Sequence, residues 1–220
     1  MSEARTAILA RLRNSPAPTE FFPKPDFSLL EGRGWSAEER LGRLRAGMAA
    51  VQTEFVEAQA GDWPRAVLEV VLRERLGSLL YGPDTAEGVA LAAIWPERGP
   101  RLVPYDRPVE TFKAELFQEL AAGFSTTLGG IAETGGLLLA PGPLEPRLLS
   151  LVPPVHIALL RPERIFDTLY QAIRALGWGE AIPANALVIS GPSKTADIEQ
   201  TLAYGVHGPK RLIVVLAGLS

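Results

Sequence analysis

Leu41, Leu44, Met48, Val51 and Phe55 recur at alternating spacings of three and four, the stripe of an amphipathic helix that buries one face. Ser36-Ala-Glu-Glu39, just ahead of it, is a capping box, in which serine and glutamate satisfy each other's backbone N–H groups and so set where the helix starts. Asp62-Trp-Pro64 opens a second helix, with proline tolerated in its first turn, and the apolar spacing carries it to about Leu76. Ala4 to Arg13 predicts a short helix. Ser15 to Gly34, which holds four prolines, predicts a wandering segment.

From Ser78 the period changes. Leu79-Leu80, Val89 to Ile94 and Leu102-Val103 are short apolar runs between Gly and Pro breaks, the pattern of strands and short helices in an α/β layer. Val109 to Gly123 predicts a helix with Phe112, Leu116, Phe117 and Leu120 on one side and Gly123 as its stop. Phe124 to Thr134 is small and polar. Leu137–Ala140, Val155–Leu160, Ala186–Ser190 and Leu212–Leu216 predict buried strands, and Pro162 to Leu176 a helix built on Ile165, Leu169 and Ile173. The Pro-rich stretch from Pro141 to Pro154 predicts an irregular return, which makes strand 137–140 antiparallel to strand 155–160. A helical crossover between Arg161 and Pro183 makes strand 186–190 parallel to strand 155–160. The expected architecture is α/β, a mostly parallel sheet with flanking helices that contains all four strands. Residues 1–60 read as a helical N-terminal extension packed on a domain of residues 61–220.

Two segments carry candidate chemistry. Strand 186–190 runs into Gly191-Pro-Ser-Lys-Thr195, after which a helical pattern continues to Gly205. A polar loop at a helix start offers backbone N–H groups, the Ser193 and Thr195 hydroxyls, the Lys194 ammonium and the positive end of the helix dipole to one anion, with Asp197 supporting the loop from behind. It is not a P-loop, which needs glycine immediately before the lysine and another five positions earlier, where Ser193 and Val188 stand. The second segment is Gly130-Ile-Ala-Glu-Thr-Gly-Gly136. Its Glu133, Thr134 and Gly135 either cap a turn or face a ligand, with Glu133 as the one candidate for nucleophile or base. The strand directions above bring Glu133 and the 191–195 loop to one sheet edge, the carboxyl edge at which open α/β sheets take ligands. His207 is expected about 15 Å away at the opposite edge, beyond a helix of about ten residues. His156, at the start of a buried strand, reads as a hydrogen-bonded core histidine. Two separated histidines predict no metal site.

Composition narrows the function. A net charge of −3 over 220 residues leaves no basic excess to hold nucleic acid. The chain has no cysteine, so it offers neither disulfides nor thiolates for an iron–sulfur cluster. Glu3, Arg5, Arg11 and Arg13 interrupt the apolar residues of the N-terminus, unlike a secretory signal, and five prolines with Glu145 and Arg147 break the most apolar region, Leu137 to Leu160. A soluble cytoplasmic protein without a membrane span is expected.

Ile189-Ser-Gly-Pro-Ser-Lys-Thr-Ala-Asp-Ile-Glu199 and Gly205-Val-His-Gly-Pro-Lys210 resemble the closing signature of the lactate utilization protein C family, LutC or YkgG. Ile131-Ala-Glu-Thr-Gly135 and Leu149-Ser-Leu-Val-Pro-Pro-Val-His-Ile157 resemble its other two blocks, in the same order. The resemblance covers about residues 105–220, and the earlier part matches only in layout. It implies a LUD domain, a fold similar to the NagB/RpiA/CoA-transferase group, and a role in bacterial oxidation of L-lactate to pyruvate. LutA-like and LutB-like partner subunits would carry the iron–sulfur clusters, and this chain would hold no cofactor of its own. Its part would be that of a non-redox subunit or accessory protein binding a small carboxylate or phosphate-bearing ligand. The alternative is a stand-alone enzyme similar to CoA transferases or sugar-phosphate isomerases, using Glu133. At Gly136 the chain departs from the family pattern, which has threonine or serine there.

Overall fold

The computed structural model describes residues 3–14, 26–196, 202–204 and 207–218. Helix α1 (Glu3–Arg13) is followed by α2 (Ala37–Ala49), which starts at the predicted capping box: the Ser36 hydroxyl accepts the Glu39 N–H and the Glu39 carboxylate accepts the Ser36 N–H. The α2 stripe ends early. The chain turns through Gln52, at a left-handed φ of 69°, and Phe55 lies in strand β1 (Glu54–Ala58). The next elements are α3 (Trp63–Arg73), β2 (Ser78–Tyr81), α4 (Ala86–Ile94), β3 (Arg101–Pro104), α5 (Val109–Gln118) and β4 (Ala122–Thr126). Gly123 is therefore not a helix stop. It sits within β4, where a methyl group would overlap the Leu149 carbonyl oxygen, so the backbone of the short helix α6 (Leu148–Leu151) lies directly on the strand.

Four of these strands join β7 (Val155–Leu160) and β12 (Arg211–Ala217) in a six-stranded sheet of order β1-β12-β7-β4-β2-β3, with every pair parallel. Helices α3 and α4 cover one face. Val67, Val70, Val71 and Leu91 pack there against Leu79, Phe124, Ile157 and Ile213, and Trp63 stacks on Phe124 at 5.7 Å between ring centroids. Burial on both faces explains why β7 and β12 read as unbroken apolar runs.

The opposite face carries a second sheet that the sequence pattern did not predict. β5 (Gly129–Ile131), β6 (Gly136–Leu139), β8 (Ile165–Phe166) and β9 (Leu187–Ile189) form it in the order β8-β5-β6-β9. The four strands expected in one sheet thus divide between two, and β9 is antiparallel to β6 rather than parallel to β7. The cause lies between β7 and β9. Pro162–Arg164 forms a single 3-10 turn, Ile165 is used in β8, and only α7 (Leu169–Ala175), capped by the Thr168 hydroxyl, is helical, so the chain stays on this layer instead of crossing back. Leu44 and Met48 of α2 pack with Leu137 and Leu139 of β6 against Ala158, Leu160, Leu212 and Val214, which joins α2 and both sheets in one core.

In the segment expected to be helical after Thr195, the described residues are extended: β10 (Lys194–Ala196) and β11 (Leu202–Tyr204) pair antiparallel. Asp197, Glu199 and Gly205 lie outside the described residues.

Candidate functional site

β7 and β12 pair in register at His156 and Leu212, the second residue of each, so these two mark the amino edge of the large sheet. The chain is tied there on both sides. The Lys210 N–H donates to the Pro154 carbonyl at 2.7 Å, and the Ser193 N–H donates to the Pro209 carbonyl at 2.8 Å. β9 runs toward the same edge, where the Thr53 hydroxyl donates to the Ser190 carbonyl at 3.0 Å and Gly191 packs on Val51. A cleft of about 360 Å³ results, lined by Ser190–Lys194, His207–Pro209, Leu151, His156 and Leu212.

The cleft brings the 191–194 loop and His207 together, which corrects the expected separation of about 15 Å. The antiparallel pairing of β10 with β11 brings the chain back beside its starting point, whereas a helix of that length would have carried it across. The same pairing removes the helix start on which the dipole argument rested, since Lys194 and Thr195 have extended backbone in β10.

His156 forms part of the cleft wall yet is only 1% exposed. One ring nitrogen, Nε2, shares a hydrogen bond of 2.8 Å with the hydroxyl of Ser125 on β4, itself buried. Among the described residues the other, Nδ1, has no partner. Burial lowers the pKa of His156 to about 4, so the ring is neutral at ordinary pH. The sequence reading of a hydrogen-bonded core histidine accounts for one of its two nitrogens.

The carboxyl edge, where the sequence reading put the site, is filled by the chain itself. Thr126 ends β4, and both carboxylate oxygens of Glu145 accept its N–H at 3.1 Å while one also accepts its hydroxyl at 2.7 Å. Burial raises the Glu145 pKa, with the Thr126 hydrogen bonds acting against it. The Leu144 carbonyl packs directly on Gly82, just beyond β2, and Arg161, just beyond β7, pairs with Glu87 of α4 at 2.9 Å. A cavity of about 40 Å³ remains behind this loop, lined by Ser125, Thr126, Glu145 and Ser150 among others.

Glu133 lies in the β5–β6 turn. Its N–H donates to the Asp167 carbonyl at 3.0 Å, and its exposed carboxylate pairs with Arg33. Gly135, at a φ of 67°, is pressed against Gly47 of α2, where a side chain would strike the backbone of Gly47 and Met48. The turn and the 191–194 loop do share an edge. A methyl group on Gly136 would come within 3.4 Å of the Ser190 hydroxyl and 3.9 Å of the Thr134 hydroxyl, with Val188 nearer still at 3.0 Å. Ser190 therefore brings a hydroxyl to the place where Gly136 lacks one. The cleft lining comprises Gly191, Ser193 and Lys194 of the predicted set, and Glu133, Thr134 and Gly135 are not among its residues. Ser190, His156 and His207 were missed as members, although each adjoins a motif that the sequence singled out.

Among the described residues no group of three or more His, Asp or Glu side chains could hold a metal ion, and no helix is long and apolar enough to cross a membrane.

Residues 41–217 match the family model of the LUD domain, and the chain belongs to that family. It is 38% identical to an uncharacterized protein of Neisseria meningitidis serogroup B, over 96% of this chain and 92% of the other. It is 27% identical to lactate utilization protein C of Bacillus subtilis, over 91% and 86%, and 26% identical to that of a Geobacillus strain, over 84% and 80%. The fold is similar to the crystal structure of a DUF162 family protein from Deinococcus radiodurans, with a TM-score of 0.59, 21% identity, and coverage of 84% of this chain and 99% of that one.

Proposed function

We propose that this member of the LUD domain family takes part in lactate utilization as a non-redox subunit or accessory protein. The observation that carries the reading is similarity to proteins named lactate utilization protein C along most of both chains. The lack of cysteine supports a division of labour: a thiolate-held iron–sulfur cluster has no ligands here, so electron transfer belongs to LutA-like and LutB-like partners. The chain's own contribution is to hold a small anion, a carboxylate or a phosphate-bearing group, in the amino-edge cleft. Lys194 supplies positive charge there and Ser190 and Ser193 supply hydroxyl donors, a set suited to charge-assisted hydrogen bonds.

The stand-alone enzyme reading requires the Glu133 carboxylate to meet a substrate, and that carboxylate is engaged by Arg33 outside the cleft lining. The decisive experiment is copurification from the native cell combined with deletion. Recovery of iron–sulfur partners, and loss of lactate oxidation on deletion with restoration by the intact gene, are expected. Intact lactate oxidation in the deletion strain would refute the role. CoA transfer or sugar-phosphate isomerisation by the purified chain, abolished by Glu133→Gln, would favour the enzyme reading instead.

A further inference from the structure

The cleft has two chemically different parts. Its open side presents Lys194, Ser193 and His207, and its inner wall includes a buried imidazole whose Nδ1 has no partner among the described residues. An unsatisfied polar atom in a protein interior is costly, so it is a standing demand for one specific hydrogen-bonding group. The wall does not supply a full positive charge, because the ring is neutral at ordinary pH. Ser125 lies behind the ring, on β4, and lines the small cavity on the far side rather than the cleft. Its bond to Nε2 fixes the ring's orientation and leaves Nδ1 as the nitrogen still to be matched.

We propose that the Ser125–His156 pair determines the cleft's specificity: His156 Nδ1 recognises an uncharged hydroxyl or carbonyl on a ligand whose anionic group is held by the Ser190–Lys194 loop. The ligand class is a small anion carrying a neutral hydrogen-bonding group, as opposed to a bare carboxylate. Ser125 is a positioning residue that acts through the imidazole. The inference rests on the anion-binding reading above and adds to it the part of the ligand that is read.

Three monocarboxylates of equal charge test it by calorimetric titration of the full chain: propionate, which has no oxygen on its second carbon, L-lactate, which has a hydroxyl there, and pyruvate, which has a carbonyl. The parent should bind L-lactate or pyruvate about tenfold more tightly than propionate, since a site built around a hydrogen bond rejects the analogue that lacks it. His156→Phe should bind all three at the propionate level, and Ser125→Ala should shrink the preference while leaving propionate unchanged. Ser125→Ala also serves as the deciding variant if His156→Phe does not fold. A merely structural role would weaken all three acids together and keep their ratio, which would overturn the proposal. Equal binding of the three by the parent, with loss on Lys194→Ala, would overturn it and leave the anion reading standing. Failure of all three to bind the parent would overturn both.

Discussion

Burial of His156 should make the protein sensitive to acid. The unfolded ring takes up a proton near pH 6.5, and the folded ring, desolvated between the two sheets, resists until about pH 4. Between those values the unfolded state binds more protons, so stability falls as pH falls. Above pH 6.5 the contribution is complete. Across the window the loss runs at about 1.4 kcal/mol per pH unit and reaches about 3 kcal/mol, a large share of the 5–15 kcal/mol typical of a domain. Glu145, with its raised pKa, acts in the opposite sense because its charged form is the one disfavoured by burial. The informative quantity is therefore the difference between the parent and His156→Phe, in which Glu145, together with Lys194 and His207 in the cleft, is common to both. At pH 7.5 the two should be of similar stability, because the variant leaves the buried Ser125 hydroxyl without its partner but also removes the unpartnered Nδ1. Toward pH 4 the variant should become the more stable, since phenylalanine has no proton to refuse. Urea unfolding at pH 7.5, 6.5, 5.5 and 4.5 measures both curves. Parallel curves would refute the assignment of a desolvated neutral imidazole.

Lys194→Ala should weaken binding of L-lactate or inorganic phosphate by about 1–3 kcal/mol, the scale of a charge-assisted hydrogen bond, with little change in thermal stability; equal binding in a titration would remove Lys194 from the site. Gly123→Ala should destabilise the fold by about 3 kcal/mol or more, because the new methyl group overlaps a backbone carbonyl that has no rotamer to move to, and a midpoint unchanged in urea would contradict the close packing of α6 on β4. The purified chain should be colourless and inactive in oxidising L-lactate with an added electron acceptor. Turnover by the isolated chain would show that a cofactor site exists on it.

The parts of the fold legible in the sequence are those in which local pattern and final packing agree. Ser36 and Glu39 set the start of α2, Asp62-Trp-Pro64 the start of α3, and the apolar runs at 155–160 and 212–216 belong to central parallel strands. The misread parts depend on neighbours distant in sequence. The sequence pattern divides β4 between a helix stopped at Gly123 and a small polar segment from Phe124, because Gly123 is there to admit the Leu149 carbonyl and Ser125 to meet His156, and neither partner is visible within a window of local sequence. Ile165 fits a helical stripe equally well whether it ends in α7 or, as it does, pairs with Gly130 in a second sheet. For the site, the loop at 191–194 was legible as polar chemistry next to a strand. The pattern places His207 at the opposite edge because it reads the residues after Thr195 as a helix, whereas 194–196 and 202–204 pair as antiparallel strands and bring it back to the same edge.

The place of the candidate cleft at the amino edge rather than the carboxyl edge follows from one architectural fact. In an open parallel sheet the loops beyond the strand ends diverge and leave a crevice for a ligand. Here β4 and β7 leave the carboxyl edge almost directly into β5 and β8, with two and four residues between, and the Leu144–Glu145 loop closes over what remains. The carboxylate of Glu145 occupies the Thr126 N–H and hydroxyl that a ligand's oxygens would otherwise take. The second sheet then folds back across the face of the first, and its strand β9 delivers Ser190–Lys194 to the amino edge, where β7 and β12 begin. Of the four stretches that resemble family blocks, the described parts of three line the cleft, 189–194 and 207–209 by this route and 149–157 through Leu151 and His156, while the fourth, 131–135, lies outside its lining. Three stretches separated in sequence thus converge on one cleft that lies at the edge opposite to the one strand topology alone would favour. Their convergence is the strongest structural reason to seek the ligand there.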